Sequence, residues 1–282
     1  MSGEGGDALT RAQAEWPGRS APARRPQPAP LFGYLFDLDD DLAGELELRM
    51  RFSARQHATT RLLDAEAGTL DLSSWFEIVG QGPGLLIVDG LLAVDTRVAD
   101  RTTTELLGSG DLLQPPGGHE DEMVDRDTAW RALAPTRFAL LDTGFAERVR
   151  SWPQILNSLF RRAERRADDL DVMRAISCQP RLEVRLVLLL WHLAARWGRV
   201  EPSGLRLTLP LTHRLLGQLV AAERPSISHA LRRLSEAGIV TGTAGDWHLH
   251  GSVETHLESL IERTARLRPR LPTQTAADTM RQ

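Results

Sequence analysis

The chain has 282 residues, a formal net charge of -4, and apolar and charged fractions of 41% and 26%, which suit a globular protein with two modest cores. Its single cysteine, Cys178, excludes an intrachain disulfide and any four-thiolate metal or cluster site assembled from one chain. It contains no lysine, which removes the Walker phosphate loop, the Schiff-base lysine and the kinase-type catalytic lysine together.

Residues 1 to 30 are rich in Gly, Ala, Pro and Arg and too poor in apolar periodicity to bury themselves, so they read as a disordered leader. They lack the basic start and apolar core of a secretory signal. The longest apolar stretch, Leu186 to Ala195, falls short of the ~20 residues a membrane span needs. The expectation is a cytoplasmic protein without membrane contact. In DLDDDLAGELELRMRF, Asp39 to Asp41 precede Leu42, Leu46 and Met50 at every fourth position, predicting one short opening helix.

From Leu70 to Leu141 short apolar runs are broken by Gly, Pro and Asp, which predicts an antiparallel sheet or roll. Within it, LLIV-DG-LLAV places Asp89-Gly90 at a tight hairpin turn. A long helix follows over Trp152 to Ile176, with Ile155, Leu159 and Ala163 on one face. Arg161, Arg162, Arg165 and Arg166 read as a solvated flank paired with Glu164, Asp168 and Asp169. The next helix, Leu182 to Trp197, is apolar nearly all round and is expected to lie buried where two domains meet. Cys178 reads as a small buried residue at the helix junction.

The last unit begins with LRLTLP. Thr212 caps a helix that turns Leu215, Leu216, Leu219 and Val220 inward. After a turn through Ala221, Ala222 and Glu223, a second helix starts with Pro225 in its first turn, carries Ile227, Ala230, Leu231 and Leu234, and stops at Gly238. Ile239-Val240 and Trp247-His248-Leu249 flank a turn at Ala244-Gly245-Asp246 and form a two-stranded wing. Ser252 caps a final helix with Leu257, Leu260 and Ile261. Helix, short turn, helix and hairpin make a winged helix-turn-helix.

LTHRLLGQLVAAERPSISHALRRLSEAGIV resembles, along its full length, the DNA-binding motif of the Crp/Fnr superfamily, the cyclic-AMP-receptor-like regulators. GLLIVDGLLAV, ELLGSGDLL and WRALAPTRFALLDTGF resemble, more weakly, the hairpin, Gly-Asp turn and last strands of a cyclic-nucleotide-binding-type β-roll. The likeness covers roughly residues 31 to 250. It implies an α+β chain: a leader (1–30), an N-terminal antiparallel β-roll of double-stranded β-helix type (31–150), a long central dimerisation helix (151–177), a C-terminal winged helix-turn-helix (178–267) and a flexible tail (268–282).

The resemblance also implies a homodimeric transcription regulator whose two recognition helices enter successive major grooves of a near-palindromic operator. Double-stranded DNA is then the partner, with RNA polymerase a further candidate. By position Arg224, Ser228 and His229 are the base readers, and Thr212, His213 and Ser226 hold phosphates. Arg232 and Arg233 join them, because phosphate contacts supply most of the affinity of such a domain. Trp247 and His248 belong to the wing.

Two departures stand out. Pro225 replaces the family's frequent glutamate and cannot accept from cytosine. In QPPGGHEDEMVDRDTAW, Glu120, Asp121 and Glu122 stand where a cyclic phosphate would need an Arg-Ser/Thr pair, so control by cyclic AMP is not expected and any effector is unidentified.

Other readings weigh less. FDLDDDL resembles the signature of haloacid-dehalogenase-like phosphohydrolases, with Asp37 as nucleophile and Asp39 as acid/base, but the β-rich middle and missing lysine speak against it. Gly80, Gly82 and Gly84 match a nucleotide loop without its following helix. His248 and His250 alternate as metal ligands do, yet no third ligand is near in sequence. No catalytic residue, cofactor or metal is expected. The remaining alternative is a small-ligand sensor whose winged domain binds protein.

Overall fold

The computed structural model describes residues 31–115 and 124–267. The leader, the acidic residues Glu120, Asp121 and Glu122 and the tail after Leu267 lie outside the described residues. The chain divides into two compact units, one up to Ser177 and one from Cys178 on, except that Gly217–Ala221 group with the first.

The first unit opens with β1 (Leu31–Tyr34) and α1 (Leu35–Leu38), a 3-10 turn (Asp40–Ala43), and α2 (Leu48–His57). The single opening helix expected from Leu42, Leu46 and Met50 is therefore broken. Leu42 and Leu46 are buried, but Met50 is exposed on a separate helix. The charges beneath the break explain it. Asp39 leaves the helical region at φ -153° and bonds Arg162, so it serves packing rather than the start of a helix.

Strands β2 (Thr59–Ala65) and β3 (Gly68–Leu70), helix α3 (Ser73–Val79), and strands β4 (Gly84–Asp89), β5 (Leu91–Val98), β6 (Arg101–Gly108), β7 (Leu112–Leu113), β8 (Arg126–Ala132) and β9 (Thr136–Leu141) follow. They form two antiparallel sheets, ordered β1-β2-β9-β4-β7 and β3-β8-β5-β6. Alternate residues of a strand face opposite ways. Leu63, Leu85, Ile87, Phe138 and Leu140 of the first sheet accordingly pack with Leu92, Val94, Leu107 and Ala132 of the second. Their neighbours Leu62, Leu86, Ala139 and Leu141 pack outward against Leu35, Leu42, Phe145, Ile155 and Leu159. Burial of both faces is why β4 reads as an unbroken apolar run.

The same burial corrects the expected hairpin. β4 and β5 do not pair; β4 lies between β9 and β7, whereas β5 lies between β8 and β6. Asp89-Gly90 is instead the corner where the chain leaves one sheet for the other. Gly90 takes φ +110°, and a Cβ there would come 2.7 Å from the Pro135 carbonyl, so only glycine fits the corner. The true hairpin joins β5 to β6, from Leu91↔Gly108 to Val98↔Arg101. Helix α3, unforeseen in the sequence, buries Trp75, Phe76 and Val79 in the roll.

After α4 (Thr143–Val149), capped by the Asp142 carboxylate accepting from Phe145 N at 2.7 Å, comes the long helix α5 (Pro153–Ser177). Ile155 and Leu159 are buried against the roll. Its arginines also find partners beyond their own helix, and only Arg161 and Arg165 keep the exposure expected of a solvated flank. Arg162 is almost buried and donates to Gly110 O at 2.9 Å and Asp39 at 2.7 Å. Arg166 holds Glu105 through two 2.8 Å bonds, Arg165 lies 3.7 Å from buried Asp111, and Arg161 pairs with Glu45. Four guanidiniums thus fasten one helix to carboxylates that its own sequence does not contain.

The second unit contains α6 (Leu182–Trp197), β10 (Gly198–Glu201), β11 (Gly204–Leu207), α7 (His213–Val220), α8 (Arg224–Glu236), β12 (Val240–Thr243), β13 (Asp246–Leu249) and α9 (Val253–Leu267). Helix α6 buries Leu186, Val187, Leu189, Leu190 and Leu193, and packs against α8 and α9 within this unit. Its apolar surface is therefore accounted for as the core of one domain. Cys178, expected to be buried, is exposed.

Candidate nucleic-acid interface

Thr212 caps α7 by accepting from Leu215 N at 3.2 Å, which leaves its own hydroxyl hydrogen to donate elsewhere. Leu215, Leu216, Leu219 and Val220 are buried. The chain then turns at Ala221, whose φ of 53° is unusual for a residue with a side chain. Helix α8 has proline in its first turn and buries Ile227, Ala230, Leu231 and Leu234.

Its end is closed by Gly238 N donating to Ser235 O and Ile239 N donating to Leu234 O, both at 2.9 Å, with Gly238 at φ 67°. This is the Schellman arrangement, and Ile239 and Leu234 are both buried beneath it. The helix is thereby closed at its C-terminal end and has one long side in solvent.

At about 3.6 residues per turn, Pro225, His229, Arg232 and Glu236 fall opposite the buried stripe, and all four are exposed. Arg224 is exposed at the helix start. The two flanks are tied down. Ser228 accepts from His213 Nδ1 at 2.8 Å and donates to Arg224 O at 3.2 Å, so its hydroxyl is committed to joining α7 and α8. Arg233 leans to the other side and pairs with Glu183 of α6. Ser226 is exposed in the first turn, where free backbone N–H groups favour an anion. Sequence reading passed over Arg214, which is exposed in the first turn of α7; its place directly after His213 was the available signal.

The wing belongs to a four-stranded antiparallel sheet, β10-β11-β13-β12. Trp247 is only 2% exposed and fills the wing's core, while His248 is half-buried on the opposite face. Arg206 of β11 grips Asp246 at the wing turn with bonds of 2.7 and 3.0 Å. That hydrogen-bonded guanidinium holds the Asp246 carboxyl below the ordinary aspartate range. Both ring nitrogens of His250 have partners, Thr241 Oγ1 at 2.9 Å and Ser203 O at 3.2 Å. Among the described residues no group of three side chains is arranged to hold a metal ion.

Residues 184–250 match the family model of the Crp-like helix-turn-helix domain. That stretch runs from α6 through the wing, so the C-terminal part of the chain carries a Crp-like helix-turn-helix domain. The fold of the chain is similar to that of solved proteins, among them a CooA variant from Carboxydothermus hydrogenoformans (TM-score 0.54, 14% identity, covering 84% of this chain and 99% of that one). FixK2 from Bradyrhizobium japonicum gives 0.53 and 16%, covering 70% and 96%, and OCPA-complexed CprK gives 0.51 and 16%, covering 74% and 93%. No curated protein matches the sequence.

The alternative phosphatase residues have other work. Asp37 chelates Arg55 through bonds of 2.7 and 2.5 Å, and Asp39 is held by Arg162. The glycines at 80, 82 and 84 lead from α3 into β4 with no helix after them. No described helix is long and apolar enough to cross a membrane.

Proposed function

We propose that this chain is a DNA-binding transcription regulator that acts as a homodimer on a near-palindromic operator, with α8 of each protomer in a major groove and half-sites about one helical turn apart. The observation that carries this reading is the polar outward face of α8, a helix closed at its C-terminal end, with Arg224, His229 and Arg232 exposed. Arg224 and His229 read base edges. Thr212, His213, Arg214, Ser226 and Arg232 hold phosphates, while Ser228 and Arg233 brace the helix against α7 and α6.

Dimerisation through α5 is supported by Leu156, Phe160, Ala163, Ala167 and Leu170, spaced four and three residues apart. Phe160 is 67% and Leu170 44% exposed, too much apolar surface for a helix that ends in solvent. A polymerase contact is compatible with this arrangement and is carried by no particular residue.

The effector is not cyclic AMP in this reading, because the stretch from Gln114 to Trp130 holds no Arg-Ser/Thr pair. A small ligand of other chemistry is favoured by a recess of mixed polar and apolar lining that includes Val94, Glu105, Trp130, Arg166, Leu170 and Met173. Selection of bound sequences from a random DNA pool, without added ligand and at physiological salt, tests the reading. An enriched inverted repeat supports it; enrichment of nothing counts against DNA binding by the unliganded protein.

A further inference from the structure

Two side chains on the outward face of α8 touch each other. Arg232 Nη2 lies 3.2 Å from His229 Nδ1, one turn back on the same helix. A guanidinium has N–H donors and no acceptor, so this bond exists only when Nδ1 offers its lone pair. The ring's single proton then sits on Nε2, the nitrogen that points away from the arginine. Glu236 steadies the arrangement from the other side, its carboxylate 3.8 Å from Arg232 Nε.

From this we infer that Arg232 is a positioning residue that fixes the tautomer of His229, and so makes His229 a reader of keto bases. The inference rests on the reading of α8 as the recognition helix.

The chemistry is as follows. In the major groove guanine offers O6 and N7 and thymine offers O4, all acceptors, whereas cytosine and adenine present an amino group. An Nε2–H donor bonds the first pair; a bare Nε2 would accept from the second. A lone histidine interconverts its tautomers and discriminates poorly. Arg232 removes that freedom before DNA arrives, so no reorganisation is needed on binding. Pro225, a turn earlier on the same stripe, has no polar group to compete for the base.

The test is selection from a random DNA pool with the wild-type chain, His229→Ala, Arg232→Ala and Arg232→Gln. The half-site position that loses its preference in His229→Ala is the histidine's base, and in the wild type it is expected to be guanine or thymine over cytosine or adenine by about tenfold. Arg232→Ala frees the ring and erases that preference. Arg232→Gln keeps a donor for Nδ1 while losing a charge, so the keto preference survives although all sequences bind more weakly and with a shallower salt dependence.

An amino base at the His229 position, or a keto preference unchanged in Arg232→Ala, overturns the inference and leaves the DNA-binding reading standing. A pool with no enriched sequence for the wild type removes both.

Discussion

Arg224 stands exposed at the first position of α8, so truncating it takes away solvent-facing donors without opening a cavity. Arg224→Ala is expected to cost ~1–3 kcal/mol on the selected operator and to relax one base position, with little change on random DNA. Binding isotherms on both DNAs check this, and equal losses would remove its base-reading role. The neighbouring positions show what sequence could and could not say. Pattern alone identified the exposed face of the helix, because Ile227, Ala230, Leu231 and Leu234 define its complement. It could not tell that Ser228 and Arg233 lie on the flanks of that face, since the groups that claim them, His213 and Glu183, belong to other helices. Arg162 makes the same point in the first unit. Its partner Asp39 lies 123 residues away, and the pair is nearly buried, with 10% and 13% of the two side chains exposed. Arg162→Met strands that carboxylate and is expected to destabilise the protein by about 3–5 kcal/mol, read as a lower urea midpoint; adding Asp39→Asn should restore part of the loss.

Elements were legible where one face was apolar and the caps were local. Thr212, Pro225 and Gly238 announce α7 and α8 by their own chemistry. The corner at Asp89-Gly90 was misread because a strand buried on both faces loses its alternation, and the turn dipeptide then carries the signal alone. The wing is held by a contact between elements, the Arg206–Asp246 clasp from β11 to the first residue of β13. Because the folded carboxyl lies below its ordinary value, the clasp's contribution is complete above the normal aspartate range and is lost only as pH falls through the lowered value. Wing amides should therefore keep their hydrogen-exchange protection in mild acid and lose it in strong acid. Asp246→Asn should lower that protection already at neutral pH and flatten its acid dependence.

For the whole molecule, α5 connects the energetics to the assembly. Its buried side, Ile155 and Leu159, belongs to the roll, and its exposed stripe, with Phe160 and Leu170, is the surface on which the proposed dimer depends. Phe160→Glu is expected to shift sedimentation toward the monomer while leaving the fold's circular dichroism unchanged, and to reduce binding to an inverted repeat far more than to a single half-site. A variant that remains dimeric would place the interface elsewhere.

The clamp on α5 also has an electrical polarity. Hydrogen bonds and charge from Glu45 hold the Arg161 guanidinium above its ordinary value; for Arg166 burial works the other way, but Glu105 outweighs it. Built with lysines, these fastenings would slip as alkali stripped the ammonium groups. Built with arginine alone, the helix keeps its register on the roll through any alkaline pH that leaves the backbone folded, and only acid, by neutralising the carboxylates, can loosen it.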